Sequence, residues 1–324
     1  MTRIGLLGAS GIAPYAIIEP ARERNDVRVV AVAGRDRERT GRYAAEWGIP
    51  SVASSYAELV ARSDVDLVYV GLPPALHREW AIRALEAGKA VLCEKPFALN
   101  ATEALAMTRS STACSRPLIE AFHYRFHPTM HRALSIVHED LGPLHSMRAV
   151  VTGPGPANPN DFRWRADLGG GALLDLGCYG MHALRTLAGS EPIIRSARMM
   201  TRQSVDVITE AEIAFASCPE ASMKCSFDSP AFTNSLHIVG ERGTLDVEGF
   251  MLPQYRGRLQ LTLDGVMREE PLPPGTTFAA QLAHVVDVLK GWVTPLTGGR
   301  DAVANMQVLD AIQAMARASP LLAR

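Results

Sequence analysis

RIGLLGASGIA, residues 3–13, decides how the chain is to be read. A short apolar run breaks at Gly8-Ala9-Ser10-Gly11-Ile12-Ala13 and gives way to the helix-like IIEPARER. A tight glycine turn between a first strand and a helix N-terminus turns backbone N–H groups toward one point, which suits a pyrophosphate. The turn departs from G-x-G-x-x-G, because Ser10 and Ala13 stand where the second and third glycines would be. Both are small, so close approach of a diphosphate stays open. Taken alone, these six residues also fit a glycine turn that holds nothing.

The surroundings favour the cofactor. Through residue 120, short apolar runs (VRVVAVAG, VDLVYVGLP, AVLCEKP, RPLIEAF) alternate with helical periods (ERTGRYAAEWG, SYAELVARS, HREWAIRALEAG). Strand–helix repetition of this kind implies a parallel sheet covered on both faces, a doubly wound α/β domain. From about residue 144 the rhythm changes. LHSMRAVVTG, PIIRSARMMT, TEAEIAFAS, ASMKCSFDS, TNSLHIVGERGTLDVE and RLQLTLDG follow one another with turns between them, and one helix is expected over 172–188. That pattern predicts an α+β domain built on a large, mainly antiparallel open sheet. The expected division is 1–121 for dinucleotide binding and 122–324 for substrate binding and oligomerisation. The turn-rich TGPGPANPND opens a flap over 152–165 that is expected to set substrate size. The tail repeats apolar residues from Val303 to Met315 at helical spacing and reads as a structural closing helix.

Bulk composition narrows the function classes. The 324 residues carry a formal net charge of −1, which offers no broad attraction to nucleic acid or acidic lipid. The opening residues are too short and glycine-broken for a secretory core, and no apolar stretch approaches membrane-spanning length. Five cysteines without a C-x-x-C read as reduced thiols of a cytoplasmic protein. No metal is expected. His123, His127 and His131 have helical spacing, but Pro128 fits the first turn of a new helix and splits the set.

Three features carry chemistry. The second strand ends in Gly34-Arg35-Asp36, with Arg37 and Arg39 behind. A small residue followed by arginines favours the 2′-phosphate of NADP, while Asp36 leaves NAD open. VLCEKPFALN, residues 91–100, delivers Glu94 and Lys95 to the carboxyl end of a buried strand, where ligands of doubly wound sheets bind. Lys95 there can hold a substrate hydroxyl beside the nicotinamide, with Glu94 orienting its neighbours; a plain surface lysine is the alternative. After Gly169-Gly170-Gly171, residues Asp175, Tyr179 and His182 fall at i, i+4 and i+7 on one helical stripe. A polar stripe on a helix rich in Leu, Ala and Met fits a wet cleft or an internally satisfied network.

GxxGxA at the start, VDLVYVGLPPALHREWAIRALEAGKAVLCEKPFALN, EAFHYRFHP and LGGGALLDLGCYGMHALR together resemble the glucose–fructose oxidoreductase / inositol dehydrogenase / MocA family. Within it the chain is most similar to the dihydrodiol and xylose dehydrogenase branch. The resemblance implies a nicotinamide-dependent oxidoreductase acting on a sugar, nucleotide-sugar or alicyclic diol. It implies that Lys95 polarises the reacting oxygen and that Tyr179 is the acid/base, in the position where inositol dehydrogenase-like members carry histidine. An ammonium near a phenol favours the phenolate, which helps a group whose ordinary pKa is near 10. Asp175 then orients substrate, and His182 is expected to touch a substrate hydroxyl. His77 matches the family's cofactor-side histidine. Leu72-Pro73-Pro74 replaces the family's Thr-Pro-Asn turn, so cofactor contact at Leu72 and Pro73 is left to backbone and shape. Tyr124 and Arg125 lie in the E-A-F-x-Y-R segment near the cleft, where Tyr124 is expected to touch substrate and Arg125 either to touch ligand or to make a structural salt bridge. Arg163 and Trp164 are within reach of substrate or nicotinamide, with plain packing the alternative for Trp164. Two other readings stay open: an enzyme that keeps its cofactor and uses transient oxidation for hydrolysis or elimination, and a non-catalytic NADP sensor. The exposed face of the second sheet is expected to pair subunits into a homodimer or homotetramer.

Overall fold

The computed structural model describes residues 1–318. Two compact units divide it: Met1–His123 with Phe278–Val303, and Tyr124–Thr277 with the chain from Ala304 onward.

The first unit holds six parallel strands, β1 (Thr2–Leu7), β2 (Val27–Ala33), β3 (Val52–Ala53), β4 (Leu67–Val70), β5 (Ala90–Cys93) and β6 (Leu118–Glu120). Their order is β3-β2-β1-β4-β5-β6. β4 and β5 are buried along their whole length, as strands covered on both faces must be. The intervening helices begin at residues the sequence marks as caps. Asp36, Ser55 and Asn100 each accept a hydrogen bond from the backbone N–H three residues on.

The second unit holds the eight-stranded sheet. Its strands are β7 (Leu144–Pro154), β8 (Ile193–Arg202), β9 (Val205–Phe215), β10 (Cys218–Ser226), β11 (Asp228–Gly240), β12 (Gly243–Glu248), β13 (Arg258–Leu263) and β14 (Val266–Glu270). The order is β14-β13-β12-β11-β7-β10-β9-β8, antiparallel except where β7 meets β10. Alternation along the strands separates two faces. Met147, Ala149 and Val151 of β7 and Ala221, Met223 and Cys225 of β10 are buried, and the helix Cys178–Ala188 packs on these two strands. The other face is polar. Glu210 lies between Arg198 (3.2 Å) and Lys224 (2.9 Å), and His237 pairs with Asp246 at 2.6 Å.

The expected boundary at 121/122 lies two residues before the observed one, and the second unit is not continuous. Phe278–Val303 belongs with the first unit, and its side chains are tied there. Thr297 Oγ1 donates to the Glu120 carbonyl at 2.6 Å, and Lys290 Nζ pairs with Asp26 at 2.8 Å. The helix Thr277–Leu289, which feeds this segment, had no counterpart in the sequence reading. The closing helix, Gly299–Ala318, covers the apolar repeat read from the tail.

Candidate active site

In the first unit, β1 and β4 are neighbours whose onward connections lead to opposite edges of the sheet, so a crevice opens at their carboxyl ends. Gly8 N–H donates to the Ala33 carbonyl (2.8 Å) and Gly71 N–H to the Leu7 carbonyl (2.9 Å), which draws the two turns together. Gly8 has φ +98°, and a Cβ on it would lie 2.6 Å from the Gly71 carbonyl oxygen, so only glycine fits. Ser10 accepts at its carbonyl from Tyr43 Oη at 3.1 Å. Its Oγ is buried with no hydrogen-bond partner among the described residues. A buried hydroxyl in that state costs about 1–3 kcal/mol, and a phosphate oxygen is an acceptor that would satisfy it. Gly11 and Ile12 stay exposed above it, and Ala13 is buried below. These residues fit a dinucleotide's diphosphate.

At the end of β2, Gly34 leads to Arg35, Asp36 and Arg39, all three exposed. One Asp36 carboxylate oxygen accepts from Arg39 N at 2.9 Å and so caps the helix Arg37–Trp47. Asp36 therefore has a local structural job, and the arginines set the charge of this rim.

At the end of β5, Glu94 accepts from the buried Tyr69 phenol at 2.7 Å and from Lys95 N at 3.3 Å. The Lys95–Pro96 peptide is cis. His77 is fully buried, its ring nitrogens 2.7 Å from the Leu72 carbonyl and 3.0 Å from the Pro96 carbonyl. It braces the Leu72-Pro73-Pro74 turn against the loop that carries Lys95. Burial lowers the His77 pKa, and the Lys95 ammonium adds to that. His123, packed on Phe278 with ring centroids 4.2 Å apart, is pushed down to about 3 by burial and by Lys95. Lys95 is thus flanked by imidazoles held in their neutral form.

In the second unit, the glycine triplet leads into a widened turn, Leu173–Gly177, and then the helix Cys178–Ala188. The turn carries Asp175 and the helix carries Tyr179 and His182. Arg163 Nε donates to Asp175 Oδ2 at 3.0 Å, and Arg163 Nη1 pairs with Asp161 at 3.2 Å. The two carboxylates hold Arg163 more strongly charged than burial alone would allow. Arg163 therefore fastens the flap to the helix start. Trp164 donates its indole N–H to the Pro156 carbonyl (3.0 Å) and meets Phe227 edge-on, so within this unit it packs the flap. Tyr179 is 4% exposed. Tyr124 and His182 are buried and hydrogen-bonded to each other at 2.6 Å, where the sequence reading expected each to reach substrate.

Sequence reasoning missed Asp206 on β9. Its Oδ2 accepts from Leu173 N (2.7 Å) and from Thr209 Oγ1 (2.8 Å), capping the turn that carries Asp175. A Cβ on Gly171, at φ +112°, would lie 2.1 Å from Asp206 Oδ1, which explains one glycine of the triplet. Burial raises the Asp206 pKa against these two hydrogen bonds. A lone acid inside the apolar run VDVIT was the available signal. His127 caps Pro128–Ser135, the helix that carries His131, through Thr129 N (3.2 Å), with Pro128 at the first helical position as expected, while His123 lies in the first unit.

Comparison with known proteins agrees with this architecture. Residues 2–120 match the family described as oxidoreductase family, NAD-binding Rossmann fold, and residues 133–246 match the GFO/IDH/MocA C-terminal domain. D-xylose 1-dehydrogenase (NADP(+)) 2 from Haloferax volcanii is 31% identical over 95% of each chain. Trans-1,2-dihydrobenzene-1,2-diol dehydrogenase from Sus scrofa is 31% identical over 79% of this chain and 76% of its own. Among solved structures, a 3-ketoreductase from Actinomadura kijaniata in complex with NADP and TDP-benzene superposes with a TM-score of 0.90, at 27% identity and 97% coverage of both chains. The chain belongs to the Gfo/Idh/MocA family of oxidoreductases. Its similarity to the xylose and dihydrodiol dehydrogenases is the one its own motifs indicate.

Proposed function

We propose that this protein is an NADP-dependent oxidoreductase that moves a hydride between nicotinamide and the carbinol carbon of a sugar, nucleotide-sugar or alicyclic diol. The observation that carries the reading is Tyr179, a buried phenol one turn beyond Asp175, whose charge Arg163 balances. Bound NADP supplies the hydride acceptor or donor. The backbone of Gly8–Ala13 and Ser10 Oγ hold the diphosphate, and Arg35 and Arg39 suit the 2′-phosphate. Leu72, Pro73, His77 and Glu94 shape the nicotinamide end. Lys95 polarises the substrate oxygen. In the oxidative direction the carbinol C–H bond breaks with its electron pair leaving as hydride, while Tyr179 takes the hydroxyl proton. Asp175, fixed by Arg163, orients the substrate.

The test is a panel of aldoses and diols, D-xylose included, assayed with NAD and NADP. Substrate-dependent NADPH formation, faster than NADH formation, is expected. Binding of NADPH with no redox activity on any panel member would overturn the reading, and turnover without net NADPH change would favour the cofactor-retaining alternative. The same reading places the protein in the cytoplasm, consistent with its five free cysteines. It also makes it a homodimer or homotetramer through the polar face of the eight-stranded sheet, where Glu210 already spans two cations.

A further inference from the structure

The Tyr124 hydroxyl and His182 Nδ1 share a hydrogen bond of 2.6 Å. Both side chains are buried, at 0% and 1% exposure. His182 lies three residues beyond Tyr179 on the same helix, Cys178–Ala188. The Tyr124 ring lies 6.0 Å from the Tyr179 ring at 56°, and stands edge-on to Phe250 at 5.2 Å and 86°. Phe250 is itself buried.

We propose that Tyr124 and His182 are a positioning pair for Tyr179; the proposal rests on the reading of Tyr179 as the acid/base. A tyrosine's phenol oxygen lies on its Cβ–Cγ axis, so its place is set by χ1 and by what walls the ring against swinging about that torsion. Tyr124 is that wall. Phe250 holds one side of the Tyr124 ring and His182 holds its hydroxyl. Because His182 belongs to the helix that carries Tyr179, the wall is fixed in the frame of the group it positions. An apolar pair of the same volume would fill this space without desolvating a phenol and an imidazole. What such a pair lacks is direction, and a hydrogen bond between two rigid rings supplies it. Proton transfer rewards that control, since small misplacements of a reacting group cost large factors in rate.

The experiment compares the alkaline phenolate absorbance of wild type with Tyr179→Phe, which isolates the ionisation of Tyr179. The same subtraction is made between Tyr124→Phe and the double variant. Loss of the Tyr124 hydroxyl is expected to move the Tyr179 midpoint by roughly half a pH unit or more. Turnover of D-xylose with NADP should fall about 10-fold, with the KM for D-xylose and NADPH binding kept. His182→Leu should act like Tyr124→Phe, and His182→Asn, which keeps a polar atom near the Nδ1 position, should act less. An unchanged midpoint overturns the proposal, even where the melting temperature falls. A raised KM with kcat intact also overturns it, because the pair would then touch substrate. Tyr179→Phe turning over at the native rate would sink the acid/base reading itself. An inactive Tyr179→Phe beside a native Tyr124→Phe would sink only the positioning pair.

Discussion

Each residue of the site is placed by a local constraint that can be removed singly. Tyr179→Phe keeps the ring and removes the proposed proton carrier, so kcat is expected to fall about 10²–10⁴-fold while NADPH titration gives the native Kd. Native turnover in that variant would refute its role. His77 braces two turns through the Leu72 and Pro96 carbonyls. His77→Ala removes both contacts inside a buried site and should lower stability by about 2 kcal/mol or more in urea unfolding. The same variant should weaken NADPH binding, because the turn it braces borders the loop that carries Lys95. Arg39→Glu reverses a charge at the rim of β2. It should raise the KM for NADP far more than that for NAD, and equal effects on both would remove the 2′-phosphate assignment.

At the scale of elements, the turn that leads into the helix bearing Tyr179 is capped from outside its own residues. The cap is a buried carboxylate on a neighbouring strand, Asp206. Asp206→Asn keeps an oxygen acceptor for Leu173 N and removes a charge that burial disfavours. At neutral pH it should be nearly neutral or stabilising. Asp206→Ala leaves Leu173 N–H buried without that acceptor and should cost about 1–3 kcal/mol. The reverse ranking in thermal unfolding would show that the carboxylate charge itself is needed. The flap follows the same logic. Its motif-free sequence hid the Arg163 link to Asp161 and Asp175, since ion pairing between a loop and a helix start depends on where the chain returns, not on spacing.

For the whole molecule, acid stability divides by the direction of each shift. Arg3 holds Asp66 below the ordinary carboxylate range, and Arg132 with Arg268 does the same for Glu270. Stability from these groups is present above a pH of about 4 and is lost as pH falls through their lowered values. Asp206 runs the other way: its pKa is raised, so its contribution is lost as pH rises. Depressed carboxylates outnumber it, so the melting temperature should drop between neutral pH and the acid range, and Asp206→Asn should flatten the opposing limb. Light scattering at working concentration should give a multiple of the 35.0 kDa chain mass; a monomer would remove the self-association reading.

The sequence alone determined the alternating strands and helices of the first unit, the mainly antiparallel second sheet, the glycine turn, Lys95 at a strand end, and a helix after the glycine triplet. Those features are periodic or local, and periodicity is written in neighbouring residues. Tertiary structure alone decided that Phe278–Val303 returns to the first unit, that Asp206 caps the turn ahead of Tyr179, and that Tyr124 meets His182. Each of these is a contact between residues far apart in the chain or a choice between equivalent hydrogen-bond partners. Burial and direction settle such choices, and neither is visible until the chain has folded.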